Sequence, residues 1–133
     1  MTIDMNATMH VMPPGADFTL HQANELTGKG RFQQAVEYYD QLIGAVPDFA
    51  CFWNSKGVAL EGLNRVTEAL ACYEKAIQID PFHAEAWYNR GIALRQAGRG
   101  KEGEKCQKIA SCLEQGREVG SYASTQPSVA ISG

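Results

Sequence analysis

The sequence predicts an all-α fold of six helices, built from three copies of one antiparallel helix-turn-helix unit. Three observations carry that prediction. Residues 31–49, RFQQAVEYYDQLIGAVPDF, return thirty-four positions later as RVTEALACYEKAIQIDPFH, with Ala69 answering Ala35, Tyr73 answering Tyr39 and Pro81 answering Pro47. Within each copy the apolar residues recur at steps of three and four, which places them on one face of a helix. Each copy is also punctuated at the same places by residues that stop helices.

With Ala16, Ala50 and Ala84 as the first residues of the units, each element can be justified in turn. The first helix of each unit (17–28, 50–62, 84–97) rests on positions 4, 8 and 11. These hold Thr19, Ala23 and Leu26, then Trp53, Gly57 and Leu60, then Trp87, Gly91 and Leu94. Position 15 is Gly30, Asn64 and Gly98, the residue types that most readily adopt the left-handed conformation ending a helix. The second helix (33–45, 67–79, 101–115) rests on positions 20, 24 and 27: Ala35, Tyr39 and Leu42, then Ala69, Tyr73 and Ala76, then Gly103, Gln107 and Ala110. Position 32 is Pro47, Pro81 and Gln115; proline cannot continue the helix before it. Small residues at positions 8 and 20 let the paired backbones approach, and Trp53 and Trp87 are expected to be largely buried, each within its own hairpin. One hairpin cannot bury its apolar face alone, so neighbouring units must stack.

The third unit departs in its second helix, where Gly100 and Gly103 stand and Glu104 and Gln107 occupy positions that are apolar or aromatic earlier. Each internal glycine costs about 1 kcal/mol relative to alanine. Cys106, Ile109, Ala110 and Leu113 still share one face, the reduced pattern expected of a terminal helix. The organisation is therefore a flexible N-terminal segment 1–15, units 16–49, 50–83 and 84–115, and a flexible tail 116–133. The end of that tail, VGSYASTQPSVAISG, is serine-rich, nearly uncharged and without periodicity.

Composition narrows the function classes. A net charge of −3 and a pI near 5.6 leave no electrostatic footprint for nucleic acid. No window approaches the roughly 18 apolar residues of a membrane span, and MTIDMNATMHVMPPG lacks the basic start and apolar run of a secretory signal. A cytoplasmic protein is expected. Cys51, Cys72, Cys106 and Cys112 contain no CxxC pair, and His10, His21 and His83 are scattered; no metal site or cofactor is expected, and the thiols read as small apolar residues. GKGRF at 28–32 falls in a helix–helix turn, and no nucleotide-binding, nucleophile-elbow or zinc-protease motif is present. The expectation is no enzyme.

The small residues at 8, 20 and 27, the aromatics at 4 and 24, the proline at 32 and the 34-residue period resemble the tetratricopeptide repeat. WNSKGVAL (53–60) and WYNRGIAL (87–94) carry the resemblance most strongly. It implies a right-handed superhelical stack whose first helices line a concave groove, faced by positions 2, 5, 9, 12 and 13. Carried onto this chain, the groove holds Asp17, Leu20, Asn24 and Thr27; Cys51, Asn54, Val58 and Glu61; and Glu85, Tyr88, Ile92, Arg95 and Gln96. The implied function is a non-catalytic adaptor or scaffold that binds a protein or peptide segment. The alternative is a self-associating structural module; the polar replacements in the last helix favour a monomer over a homo-oligomer. Some members grip acidic chaperone tails through two Lys, two Asn and one Arg. The corresponding residues here are Leu20, Asn24, Ser55, Glu85 and Asn89, of which only Asn24 matches.

Overall fold

A computed structural model describes residues 12–118. In it the chain forms six helices and, among the described residues, no strand: α1 (Ala16–Gly28), α2 (Phe32–Ala45), α3 (Ala50–Gly62), α4 (Val66–Ile79), α5 (Ala84–Gln96) and α6 (Gly100–Glu118). Helices pair as α1/α2, α3/α4 and α5/α6 within units, and the units stack in order through α2 on α3, α4 on α5 and α3 on α5. Of the flexible ends expected at 1–15 and 116–133, residues 1–11 and 119–133 lie outside the described residues. Met12 packs against the core, so the stack begins before residue 16.

The turn within each unit is the same structure three times. Gly30, Asn64 and Gly98 have φ of 80°, 61° and 84°, which a β-branched or bulky residue would adopt only with strain. That reversal lets the next N–H, of Arg31, Arg65 and Arg99, reach back to the carbonyl of Leu26, Leu60 and Leu94 at 2.8, 2.9 and 2.8 Å. The carbonyls of the same arginines then accept from Ala35, Ala69 and Gly103, starting the second helix. Backbone groups orphaned at one helix end are thus satisfied at the start of the next.

Between units the turn differs. α2 and α4 stop immediately before the dipeptides Val46-Pro47 and Asp80-Pro81, because the residue before a proline is pushed out of the helical region. In the third unit Gln115 replaces the proline and α6 runs on to Glu118, three residues past the predicted end.

The core contains Tyr39, Tyr73, Phe52, Leu60 and Leu94, all essentially without solvent exposure. The tryptophans are not among them. Trp53 and Trp87 are half-buried, and each straddles a junction: the indole Nε1–H donates to the carbonyl of Pro47 or Pro81 in the preceding unit, at 2.8 Å in both. The expectation of tryptophans sealed inside their own hairpins is corrected here. An indole buried whole would have to leave its N–H a partner inside the core; at the junction edge a backbone carbonyl supplies one. Phe52, one residue earlier, is the aromatic that enters the core.

Glycines 57, 91 and 103 show why small residues recur. A Cβ on Gly57 would lie 2.5 Å from the Tyr73 ring, and one on Gly103 would lie 2.6 Å from the Gly91 carbonyl oxygen. Gly103 is therefore a packing residue, the point where α6 crosses α5, and not only a weak helix former. Ile109 leaves the predicted apolar face and stands exposed, at the register position where α4 carries the exposed Lys75.

The thiols divide. Cys72 and Cys106 are buried as expected, Cys51 is half-buried and Cys112 is exposed. Burial pushes the Cys72 thiol up to about 11 from its ordinary 9.0, since a thiolate there would lose its hydration.

Candidate functional site

α3 and α5 touch directly, and the repeat register pairs positions on the three first helices. Position 2 gives Asp17, Cys51 and Glu85; position 5 gives Leu20, Asn54 and Tyr88; position 9 gives Asn24, Val58 and Ile92; position 12 gives Thr27, Glu61 and Arg95.

The predicted site residues differ in how they sit. Asp17, Asn24, Glu85, Tyr88, Arg95 and Gln96 are exposed, and Leu20, Thr27, Cys51, Val58, Glu61 and Ile92 are half-buried. Asn54 stands apart. It is 3% exposed, and its Oδ1 accepts a hydrogen bond from Asn89 Nδ2 at 3.1 Å across the junction of the second and third units. An amide expected to meet a ligand instead joins α3 to α5. Burial without such a partner would cost about 1–3 kcal/mol.

The polar residues of the face are held from behind by the second helices. The Tyr39 hydroxyl donates to Asn24 Oδ1 at 2.6 Å and lies 3.1 Å from Thr27 Oγ1. The Tyr73 hydroxyl donates to the Glu61 carboxylate. In the third unit Gln107 stands in the tyrosine position, and its Oε1 accepts from Arg95 Nη1 at 3.2 Å. Positions 12 and 24 are thus bonded in all three units, by different chemistry each time. Burial, and then the Glu61 carboxylate that accepts its hydrogen bond, raise the Tyr73 phenol; burial also raises Tyr39 and the Cys51 thiol, with the Glu85 charge adding to the latter. These groups stay neutral at neutral pH, so the charges of the face are its carboxylates and Arg95.

One feature lies outside the groove register. A cleft of about 480 Å³ opens between α5 and α6, lined by Ala84, Glu85, Tyr88, Gln107, Ala110, Ser111 and Glu114. Four of these belong to the second helix, which the groove register leaves out. The equivalents of Ala110 in the earlier units, Leu42 and Ala76, are buried.

Models of the tetratricopeptide repeat match residues 20–84 and 72–107, so that together they span 20–107. The chain belongs to the tetratricopeptide repeat family. No curated protein sequence matches it. Among solved structures it resembles the second tetratricopeptide domain of Spaghetti (RPAP3) bound to the HSP90 peptide SRMEEVD: TM-score 0.71, 22% identity, 75% of this chain and 93% of that one. The Sgt2 domain from Aspergillus fumigatus gives a TM-score of 0.76 at 18% identity, covering 79% of this chain and 70% of that one. MamA gives 0.71 at 21%, covering 77% of this chain and 60% of that one. At these identities the likeness is one of fold. Proteins of this family serve generally as interaction modules without catalysis.

Proposed function

We propose that the chain is a cytoplasmic, non-catalytic module that binds a segment of a protein partner along the first-helix face. The observation that carries the reading is the mixture on that face. Leu20, Val58, Ile92 and the half-exposed Tyr88 leave apolar surface open, bordered by Asp17, Glu61, Glu85 and Arg95. Glu61, Arg95 and Asn24 are already oriented by Tyr73, Gln107 and Tyr39, so little order remains to be imposed on binding. Tyr88 is an aromatic anchor with few torsions to freeze. An affinity near ~1 μM, about −8 kcal/mol, suits such a surface.

Its charge selects the partner. Three carboxylates face one guanidinium, and Glu85 occupies a clamp position where related domains place a cation. Like charges brought together cost free energy, so a neutral or mildly basic segment is favoured over an acidic tail. Calorimetric titration with an acidic tail peptide and its charge-reversed copy tests this. The basic copy binds more tightly and loses affinity as salt rises; tighter binding of the acidic peptide overturns the reading. Tyr88→Ala and Ile92→Ala each weaken binding by about tenfold.

A further inference from the structure

We propose that this chain stacks head to tail on a second copy of itself, with Phe18 of one copy entering the cleft between α5 and α6 of the next. Position 3 of the units differs between the first unit and the other two. Phe52 and Ala86 occupy it in the second and third units and both are 0% exposed, whereas Phe18 occupies it in the first unit and is 68% exposed. Ala86 lies in one apolar cluster with Ala50 and Ala76, the position-1 and position-27 residues of the unit before it. Position 3 is therefore the knob by which each unit sits on its predecessor, and Phe18 is a knob with no seat among the described residues.

The matching seat is at the other end. Thirty-four residues after Ala50 and Ala76 stand Ala84 and Ala110, each 4% exposed, at the floor of the cleft of about 480 Å³ whose walls include Tyr88, Gln107 and Ser111. Both internal seats are filled by a position-3 side chain; this one holds none among the described residues. The cleft volume exceeds what one phenyl ring needs. The two faces are thus halves of a junction that the molecule already forms twice within itself.

The remaining register contacts are compatible. Position 7 pairs with position 25 of the preceding unit, as Lys56 with Asp40 at 2.7 Å and Arg90 with Glu74 at 3.2 Å. Across two copies that pair becomes Gln22 and Lys108, an acceptor facing a cation. Position 6 meets position 5, as Asn89 meets Asn54; across copies His21 faces Tyr88. No like charges meet at these positions. The tryptophan-to-proline bond has no counterpart, since Thr19 and Gln115 stand there, so the contact is weaker than the internal junctions and reversible. A knob on one face and a hole on another give a heterologous contact, which extends without closing.

The test uses the full chain in two single variants. Phe18→Glu removes the knob at an exposed site, and Ser111→Trp fills the cleft from its exposed rim; helical content and melting temperature check that both fold. Sedimentation of the parent chain over a concentration series should show a mass that rises past the dimer without a plateau and persists in high salt, because the contact is apolar. Each variant alone should stay monomeric. Mixed, the two should form a one-to-one heterodimer, since each retains the face the other lost. A parent chain monomeric throughout overturns the proposal, and would be the result if residues 1–11 or 119–133 of the same chain covered these faces. A closed dimer abolished by Phe18→Glu but not by Ser111→Trp overturns it too, pointing to a symmetric contact instead. Groove binding by a monomer is untouched by either failure.

Discussion

The second and third units fill the same space in different ways. In the second, Gly57 is covered by the ring of Tyr73, which is wholly buried. In the third there is no ring: Gly91 meets the backbone oxygen of Gly103 and the stem of Gln107, at 2.8 and 2.7 Å from where its Cβ would be. One hairpin holds its helices apart with an aromatic spacer, and the other lets the two backbones cross. Both place a polar group at position 24 within reach of position 12. The repeat keeps a filled volume and a reach, and the residue identity at position 24 is free to change if position 20 changes with it.

The largest expected effect breaks the spacer. Tyr73→Ala should destabilise the chain by about 3–5 kcal/mol, as for other buried aromatics. Gln107→Ala, at the same position of the next unit, should cost about 1 kcal/mol, since it loses a hydrogen bond and little buried volume. Urea unfolding of the two variants reads the difference; equal losses would mean that the crossing of α5 and α6 does not replace the ring.

Next come the glycines. A Cβ on Gly103 meets a backbone oxygen, which cannot move aside as a side chain can. Gly103→Ala should therefore destabilise by about 1–3 kcal/mol through overpacking, although alanine favours the helix intrinsically by about 1 kcal/mol. Gly100, three residues earlier, has nothing within 4 Å of a Cβ, and Gly100→Ala should stabilise by about 0.5 kcal/mol. Opposite signs at two glycines of one helix would confirm close crossing as the reason for Gly103; the same sign would refute it.

That pair of residues shows where the sequence was legible and where it was not. Turns were legible because a left-handed residue requires Gly or Asn, so Gly30, Asn64 and Gly98 declared themselves, and helix bounds followed within one residue except at Glu118. Gly103 was misleading because glycine's low helix propensity is local while its packing role depends on a helix twelve residues away. Asn54 was misread for a similar reason: at position 5 an amide looks the same whether it faces solvent or Asn89, and only the stacking of α3 on α5 decides. The cleft at Tyr88 was hidden because its walls come from two helices with different registers.

An alkaline titration sharpens the comparison through Cys72, the most strongly raised thiol. The Cys72 thiol is raised to about 11 in the folded chain against 9.0 unfolded, and Tyr73 is raised as well. Above pH 9 the unfolded chain releases the thiol proton while the folded chain retains it, so stability falls as pH rises. The contribution is fully present below pH 9 and lost between 9.0 and about 11. Melting temperature should be level from neutrality to that threshold and then decline, and Cys72→Ala should make the decline shallower. An unchanged slope would assign the loss to the tyrosines and Cys51 instead.

The smallest expected effect concerns what the two units share. Trp53 and Trp87 each donate to a proline carbonyl of the unit before, at the same 2.8 Å. Tryptophan to phenylalanine removes that donor and keeps an aromatic ring, so each substitution should cost about 1 kcal/mol, the net worth of one hydrogen bond. If the second and third units differ inside their hairpins but not at their junctions, Trp53→Phe and Trp87→Phe should cost the same. The double variant should then lose the sum of the two to within about 0.5 kcal/mol, because the sites share no partner. A much larger loss at Trp53 would tie the junction to the hairpin behind it: Lys56 and Lys75 both lie 5.9 Å from that indole, and a smaller ring would weaken their cation–π attraction as well.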